Sequence, residues 1–341
     1  MIFAGSKKLL AIVTLVTLNS CNGQTPNSIK PASHNDTPKI DNSDGIVYFS
    51  YDNGLSWQNK STGLSPKANI GLGGIAASGH KLALMSKDSG LYIFNAPENR
   101  WKNIPTGRQF LESNPGALIF YKNGIYTGTQ HAGVFYSIDN GNSWAQANSG
   151  LNSLVIRKFA TIENKLYAAT NSGLYSYKDI FNQWELEFGD NSFQVNGITS
   201  FDKSIYIATN QGAFASPIGK KDWRNIFSKG ALHNISSDDK TLYAMVYNEL
   251  FSSTDKGNTW QSIQNGLPVQ LYTFNVVKTG NSLLAGQWDG VYRKEKQTGN
   301  WIFSGKGLPE KLAIVNMQVH DKIIVVSSSE RKLKTGMTTD K

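Results

Sequence analysis

Short runs of alternating apolar and polar residues recur along most of the chain, separated by clusters of Asn, Asp, Ser and Gly. Two examples are NKLYAATNSGLYSYKDIFNQW (164–184) and KSIYIATNQGAFASPIGKKDW (203–223). Each contains an alternating run, a turn, a second alternating run, another turn and a tryptophan. Alternation with a period of two between turn residues is typical of half-buried β-strands. The pattern therefore predicts an all-β protein in which helices are scarce.

Tryptophan marks the period of this pattern. Seven of the eight tryptophans lie 37 to 44 residues apart, and aligning the chain on them brings the alternating runs into register. These seven are Trp57, Trp101, Trp144, Trp184, Trp223, Trp260 and Trp301. Four short strands in a unit of about forty residues are typical of a β-propeller blade, so each period is predicted to form one blade.

The two ends of the repeat region complement each other. DGIVYFSYDNGLSW (44–57) supplies the two outer strands of a blade, and AIVNMQVHDKIIVVSSS (313–329) supplies the two inner strands. Together they make one blade from both chain ends, which leaves no sheet edge open at the junction of the ring. With six internal blades, the prediction is a seven-bladed propeller of four-stranded blades over residues 44–329.

Three of the predicted outer turns share the pattern S-x-D-x-G-x-[ST]-W, at 50–57, 137–144 and 253–260. Aspartate can accept hydrogen bonds from turn N–H groups, glycine permits a positive φ, and tryptophan buries a large ring. The aspartates fall on three separate blades, so they cannot form one carboxylate triad. A structural role is therefore predicted for Asp52, Gly54, Trp57, Asp139, Gly141, Trp144, Asp255, Gly257 and Trp260.

This motif resembles the Asp-box, or BNR, repeat of propellers that include sialidases, xyloglucan-degrading enzymes, sortilin-type receptors and photosystem assembly factors. The resemblance covers roughly residues 44–329 and implies the fold, but the group hosts many activities. Its sialidases grip the substrate carboxylate with three arginines. Here only Arg108 and Arg157 fall in segments predicted to reach the mouth, which argues against a sialidase.

Other catalytic and metal chemistry has little support in the sequence. An inverting glycosidase needs two carboxyl groups roughly 6.5 to 9.5 Å apart. The predicted mouth loops carry five carboxylates outside any recognisable motif: Asp88, Glu112, Glu249, Asp289 and Glu310. The five histidines lie on separate segments without metal-ligand spacing, and no P-loop or G-x-S-x-G motif occurs. Neither a metal nor a cofactor is predicted.

The ligand site is expected where the middle turns and the links between blades meet, on the face away from the S-x-D turns. Trp288, the eighth tryptophan, lies outside the repeat register in one of these turns. It could be an exposed platform for a sugar ring or a peptide side chain, or a plug over the central channel. The predicted ligand-binding residues are Trp288, Asp289, Gln287, Tyr247, Asn248, His131, Gln130, Asp88 and Arg157. Softer candidates on the links are Asn114, Phe193, His233 and Tyr272.

The first twenty residues have the features of a targeting segment. Lys7 and Lys8 precede the apolar run LLAIVTLVTL (9–18), which is short for a membrane span and typical of a signal peptide. LNSC (18–21) resembles a bacterial lipobox, in which Cys21 is lipidated. An ordinary secretory signal, with Cys21 as a lone thiol, is the alternative.

The sequence therefore predicts a lipoprotein signal peptide at 1–20, a flexible polar tether at 21–43 and a polar tail at 330–341. The expected location is the bacterial cell envelope, held by the lipid on Cys21. The outer membrane facing the periplasm is favoured because no acidic run follows Cys21. Cys21 is the only cysteine, so no intrachain disulfide is expected.

The formal net charge is +9, or +7 once Lys7 and Lys8 are removed with residues 1–20. This balance favours an acidic partner. No Lys/Arg cluster alternates with aromatic residues, so nucleic acid is not predicted as a partner. The leading hypothesis is a monomeric, non-catalytic envelope module whose mouth binds an envelope protein segment or a polysaccharide. The alternative is a glycan-active hydrolase of the Asp-box propeller type.

Overall fold

Seven antiparallel sheets of four strands make up the described part of the chain. The computed structural model describes residues 45–269, 271–295 and 297–329. The chain is a seven-bladed β-propeller, as predicted. The predicted signal peptide, the tether, the lipidation site Cys21 and the C-terminal tail lie outside the described residues.

Blade 1 combines both ends of the propeller, in the sheet order β2-β1-β28-β27. The outer pair comes from the N-terminal side and the inner pair from the C-terminal side, and Val47 pairs with Ser327 where they meet. This pairing confirms the predicted closure of the ring. The strands are β1 (Val47–Ser50), β2 (Gln58–Asn59), β27 (Asn316–His320) and β28 (Ile323–Ser327).

Each of the other blades is a meander of four consecutive strands, with the first strand innermost. Blade 2 has β3 (Ile70–Ser78), β4 (Lys81–Ser86), β5 (Gly90–Asn95) and β6 (Arg100–Ile104). Blade 3 has β7 (Pro115–Tyr121), β8 (Gly124–Thr129), β9 (Val134–Ser137) and β10 (Ala145–Gln146). Blade 4 has β11 (Ile156–Ile162), β12 (Lys165–Thr170), β13 (Gly173–Lys178) and β14 (Gln183–Phe188).

The remaining three blades follow the same plan. Blade 5 has β15 (Val195–Phe201), β16 (Ser204–Thr209), β17 (Gly212–Pro217) and β18 (Arg224–Phe227). Blade 6 has β19 (Leu232–Ser237), β20 (Leu242–Val246), β21 (Leu250–Ser253) and β22 (Gln261–Ser262). Blade 7 has β23 (Thr273–Thr279), β24 (Ser282–Gln287), β25 (Val291–Lys294) and β26 (Trp301–Phe303). The first strands of successive blades contact one another, and β27 contacts β3.

Helical structure is limited to two short segments within the described residues. The helix α1 (Arg108–Glu112) lies on the link between blades 2 and 3, and a 3-10 turn (Asp179–Phe181) lies in the outer turn of blade 4. Among the residues that the structure describes, no helix has the length and apolar character of a membrane span.

The repeated tryptophans join each blade to the one before it. In six of the seven, the indole N–H donates to a main-chain carbonyl at or just beyond the outermost strand of the preceding blade, over 2.6 to 2.8 Å. Buried indole rings normally find such a partner for the N–H, so the forty-residue period is the spacing of these contacts. The pairs are Trp57–Ser304, Trp101–Lys60, Trp184–Ala147, Trp223–Glu187, Trp260–Ile226 and Trp301–Ile263.

Trp144 is the exception, because its indole N–H donates to Gly141 in its own turn. Its ring stacks on Phe110 of α1 at 4.9 Å between ring centroids. The link between blades 2 and 3 therefore packs against Trp144 through this helix. The sequence predicts a buried ring for all three tryptophans of the S-x-D turns. In the structure Trp57 is buried, whereas Trp144 and Trp260 are only half-buried.

The S-x-D turns have the hydrogen bonds expected of them. In blade 3, Asp139 Oδ1 accepts from Ser137 Oγ at 2.7 Å and from the Ser143 N–H at 2.9 Å, and Oδ2 accepts from Ser143 Oγ at 2.6 Å. These hydrogen bonds hold the pKa of Asp139 at about 2. The same bonds recur around Asp52 and Asp255.

The glycine of each turn has a positive φ, and Gly141 at +92° is the tightest example. A Cβ atom there would lie 2.5 Å from Cδ2 of Leu91, which is fully buried. Gly219, in the outer turn of blade 5, also has a positive φ (+76°), but nothing lies within 4 Å of its Cβ position. A substitution at Gly219 therefore adds backbone strain alone, whereas one at Gly141 adds backbone strain and overlap with the core.

We expect Gly219→Ala to lower the free energy of unfolding by about 1–2 kcal/mol, the usual effect of a side chain at positive φ. Gly141→Ala should cost about 1–3 kcal/mol more, because the methyl group overlaps the packed core. Urea denaturation of both variants and the wild type measures the difference. Equal losses in the two variants would contradict the packing role assigned to the turn.

Candidate functional site

A cavity of about 1330 Å³ runs along the axis of the ring. We call it the axial cavity. Residues at or beside the first strand of every blade line it, and its rim on one side is formed by the links between blades and by the middle turns. We call this side the mouth face. A second, lower cavity of about 720 Å³ opens on the opposite face, beneath blades 5, 6, 7 and 1.

A β-bulge in the first strand turns consecutive side chains toward the axial cavity. In blade 4 the register shifts between Ile156 and Lys158, and both Arg157 and Lys158 line the cavity. A bulge places an extra residue on one strand and re-aims side chains, which a strict alternation would not allow. The same irregularity occurs in the first strands of blades 2, 3, 5, 6 and 7.

Four asparagines connect the innermost strands, three of them at these bulges and the fourth, Asn316, at the start of β27. Each donates its side-chain amide to a main-chain carbonyl at the start of the next blade, over 2.7 to 3.0 Å. The pairs are Asn196–Leu232, Asn234–Phe274, Asn275–Val315 and Asn316–Gly71. We call this set the asparagine ring. It links blades 5, 6, 7, 1 and 2 at the axis, as the tryptophans link blades farther out.

Lys158 occupies in blade 4 the position of Asn234 in blade 6 and Asn275 in blade 7, where blade 5 has Gly197. Its ammonium Nζ donates to Asn234 Oδ1 at 2.8 Å, reaching past blade 5 to blade 6. Gly197 in blade 5 permits the close approach of Asn234, since a Cβ there would lie 2.6 Å from Asn234 Oδ1. The cavity walls enclose the half-buried Lys158 side chain, and this desolvation lowers its pKa to about 8.

The axial cavity is positively charged. Its lining includes Lys87, Lys122, Arg157 and Lys158, and no Asp or Glu belongs to it among the described residues. Lys122 forms an ion pair with Asp179 at 2.8 Å, which leaves three cations without an ion pair in this part of the structure. The Arg157 guanidinium donates to Asn171 Oδ1 at 3.1 Å, and burial lowers the pKa of Arg157.

Five aromatic side chains cluster at the mouth face beside blades 6 and 7, and we call them the mouth aromatic group. Ring centroids are 4.2 Å apart for His233 and Tyr272, 4.5 Å for Tyr247 and Tyr272, and 5.0 Å for Phe274 and Trp288. Tyr247 is 55% exposed and Trp288 is 44% exposed. The group thus presents an apolar surface at the rim of a charged cavity.

The structure brings together some of the predicted ligand-binding residues and separates others. Trp288 and Tyr247 belong to the mouth aromatic group, and Trp288 does not line the axial cavity, so it is no plug. The cavity is lined by two of the predicted residues, Gln130 and Arg157, and by three of the softer candidates, Asn114, His233 and Tyr272. Asp88, His131 and Asn248 are exposed and do not line the cavity.

Two predicted ligand-binding residues instead stabilise their own blade. Gln287 is fully buried, and its Nε2 donates to Thr273 Oγ1 at 2.5 Å. Asp289 Oδ2 accepts from the Tyr292 hydroxyl at 2.9 Å. The burial of Gln287 contradicts the expectation that it faces a ligand, whereas Asp289 is half-buried and stays a prediction.

Two further expectations for the mouth also fail. Phe193 packs against Phe188 and Phe214 between blades 4 and 5. Arg108 lies in α1 and pairs with Glu112 at 2.8 Å, away from the axial cavity. Phe193 thus packs on strands of blades 4 and 5, and Arg108 pairs within its own helix; neither side chain lines the axial cavity.

The carboxylates considered for hydrolysis do not meet. Asp88, Glu112, Glu249, Asp289 and Glu310 are all absent from the lining of the axial cavity. In the described part of the chain, no group of three or more His, Cys, Asp or Glu side chains is placed to hold a metal ion.

Sequence reasoning missed Lys158 and the asparagine ring. The signal was present in the first strands, where HNI (233–235), FNV (274–276) and VNM (315–317) align with RKF (157–159). The column that contains Asn234, Asn275 and Asn316 contains Lys158 in blade 4. A comparison of the inner strands, in addition to the tryptophans, shows this substitution.

Comparison with known proteins supports the fold. No family model matches the chain, and no curated protein matches it either. Among solved structures, it is similar to the extracellular domain of BT4673 from B. thetaiotaomicron, with 15% identity and a TM-score of 0.65 over 83% of this chain and 39% of that chain.

The chain is also similar to YCF48 solved with a D1 peptide, with 11% identity and a TM-score of 0.63 over 78% of this chain and 95% of YCF48. An ancestral GH74 enzyme gives 16% identity and a TM-score of 0.61 over 79% of this chain and 45% of the enzyme. At such identities, the similarity shows the propeller fold alone.

The lowered pKa of Lys158 predicts a pH-dependent stability. The pKa in the folded chain, about 8, lies below the ordinary value of 10.5, so folding disfavours the charged form. This destabilisation is complete below pH 8 and fades as the pH rises toward 10.5. The free energy of unfolding of the wild type should therefore rise relative to that of Lys158→Asn between pH 7 and pH 10.

Urea denaturation at several pH values measures the difference in free energy of unfolding between the wild type and Lys158→Asn. The control is Lys67→Met, which removes an exposed lysine outside the cavity. The difference in free energy of unfolding between the wild type and Lys67→Met should not change with pH. A constant difference for Lys158→Asn as well would show that the Lys158 ammonium is fully solvated.

Proposed function

We propose that this chain is a non-catalytic binding module of the bacterial cell envelope, and that its mouth face binds a segment of a partner protein. The observation that carries the proposal is the exposed mouth aromatic group at the rim of the axial cavity. Concave sites with aromatic walls and a few polar groups are the usual binding sites of proteins. Exposed Trp and Tyr side chains commonly supply most of the binding energy at such sites.

The composition of the axial cavity favours binding over hydrolysis. Glycoside hydrolysis needs a pair of carboxyl groups across the cleft, whereas the described lining provides lysines, an arginine and asparagine amides. The structural similarity to a GH74 enzyme extends to the fold. YCF48, which has the same fold, was solved bound to a peptide, so a propeller of this kind can serve as a peptide-binding surface.

The finer family assignment belongs to the same proposal. We assign the outer turns of blades 1, 3 and 6 to the Asp-box type, because their aspartate, serine and glycine make the same hydrogen bonds in all three blades. These turns lie on the face opposite the mouth, so we assign their repeated pattern to the fold and the ligand to the middle turns.

The proposed location depends on the N-terminal sequence. Lys7, Lys8, the apolar run 9–18 and Cys21 together suit a lipoprotein signal, with the residues after Cys21 as a tether. The similar domain of BT4673 is extracellular, which fits a propeller held outside the cytoplasm.

Removal of the Trp288 ring should weaken binding of the partner. We expect Trp288→Ala to reduce recovery of the partner protein from detergent-solubilised envelopes of the native cell by about tenfold or more, a loss typical of a truncated interface hot spot. Quantitative affinity capture with the full-length protein measures the effect.

The matched control is Phe181→Ala, which removes an exposed aromatic ring in the outer turn of blade 4. This variant should recover as much partner as the wild type. Equal recovery by Trp288→Ala would place the binding surface elsewhere. Recovery of shortened polysaccharide alone would favour the hydrolase.

Lipidation at Cys21 predicts a second result. Cys21→Ser should move the protein from the membrane fraction to the soluble fraction and abolish incorporation of labelled palmitate, because the thiol is the site of acylation. Fractionation of the native cell with both forms measures this. A Cys21→Ser protein that stays in the membrane fraction would contradict the proposed anchor.

A further inference from the structure

Two consecutive cations in blade 4 face the axial cavity. The β-bulge of β11 directs both Arg157 and Lys158 inward. Strict alternation would send one of two neighbouring side chains to the other face of the sheet. The pair is therefore a local feature of this blade. At the same bulge, blade 5 has Asn196, blade 6 has His233 and Asn234, and blade 7 has Phe274 and Asn275.

Neither cation has an anionic partner in the described part of the chain. Lys158 donates to the neutral oxygen of Asn234, and Arg157 donates to the neutral oxygen of Asn171. Lys158 also lines the lower cavity, but the two aspartates there, Asp238 and Asp239, both pair with Lys278. A desolvated cation without a counter-charge is costly, so these two side chains are poised to gain from an anion.

The space and the other donors around the pair suit an oxyanion. The cavity volume of about 1330 Å³ far exceeds that of a sulfate or carboxylate group. Lys87 also lines it, and three glycines of blades 2 and 3, Gly71, Gly73 and Gly116, form part of its wall. Guanidinium groups bind oxyanions through two parallel N–H donors, and an ammonium acts as a point charge beside them.

We propose that Arg157 and Lys158 form an anion-binding site inside the axial cavity, and that it takes a carboxylate, sulfate or phosphate group. This site deepens the proposed function and rests on it for the mouth face as the side of entry. The ligand of the module is then a molecule with an anionic group that enters the cavity and an apolar part that contacts the mouth aromatic group.

Sulfate is the probe for the site, because it does not change charge between pH 6 and pH 10. We expect saturable binding of radiolabelled sulfate to the full-length protein in detergent, at low ionic strength and pH 7, by equilibrium dialysis. Lys158→Asn and Arg157→Gln should each weaken binding at least tenfold, whereas Lys67→Met should not change it.

Lys158→Asn places in blade 4 the residue that blades 6, 7 and 1 have at the same position, so the ring of blades keeps its packing. Lys158→Arg keeps the charge and should restore binding to within about threefold of the wild type. Thermal melting of each variant shows whether it is folded before binding is measured.

The pH profile separates this site from general attraction to a basic protein. Sulfate binding should weaken as the pH rises through about 8, where Lys158 loses its proton. The other titratable groups that face the two cavities are Lys87, Tyr121, Lys122, Arg157, His233, Tyr272, Asp238, Asp239 and Lys278. His233 Nε2 has no hydrogen-bond partner in the described residues, and burial lowers the pKa of His233.

The two proposals fail separately. If wild-type protein shows no saturable sulfate binding, or if Lys67→Met loses as much as Lys158→Asn, the anion site is wrong. If sulfate binds as expected but partner capture does not depend on Trp288, the site stands and the proposed role of the aromatic group is wrong. An inorganic anion that binds while Lys158→Asn still captures the partner fully would show that the site serves a free anion and not a group of the partner.

Discussion

The structure depends on hydrogen bonds that cross from one blade to the next. A four-stranded blade is hydrophobic on both faces, and it is stable only when both neighbours cover it. Outside the axis, six indole N–H groups donate to the preceding blade. At the axis, four asparagine amides donate to the following blade. The outer set donates to the preceding blade and the inner set to the following blade. Blades that take part in both sets are therefore connected to their neighbours through their outer and their inner strands.

The candidate site is an interruption of this inner set. Blade 4 has Lys158 where blades 6 and 7 have asparagine, and its ammonium bonds to Asn234 two blades away rather than to the adjacent main chain. Between them, Gly197 of blade 5 lets Asn234 lie close to the main chain, since any Cβ at this position would collide with Asn234. A desolvated amine in place of a neutral amide lowers stability, and proteins retain such features mostly at functional sites. The lysine is thus better explained by a ligand than by the fold.

The fold could be predicted from the sequence because its strongest determinants are local and repeated. The tryptophan period and the complementary chain ends correspond to visible contacts, the indole bonds and the pairing of Val47 with Ser327. The site was predicted only in part, because bulges break the alternation on which strand reasoning relies. Gln287 shows a second cause: it stands where the other middle turns have Thr170 and Thr209, and all three are buried at the end of the second strand. Position in the repeat, rather than polarity, decides which turn residue faces the mouth.

The arrangement of charge and aromatic surface limits what the mouth can hold. The aromatic rings lie beside blades 6 and 7, whereas Arg157 and Lys158 extend from blade 4, so one ligand that contacts both must cross the cavity. A neutral polysaccharide would stack on the rings but leave both cations without a counter-charge. An extended acidic polypeptide offers a carboxylate and an apolar side chain a few residues apart, at about 3.3 Å per residue. Under the proposed function, one short segment of this kind would contact both surfaces, and the cations of the axial cavity would attract its carboxylate.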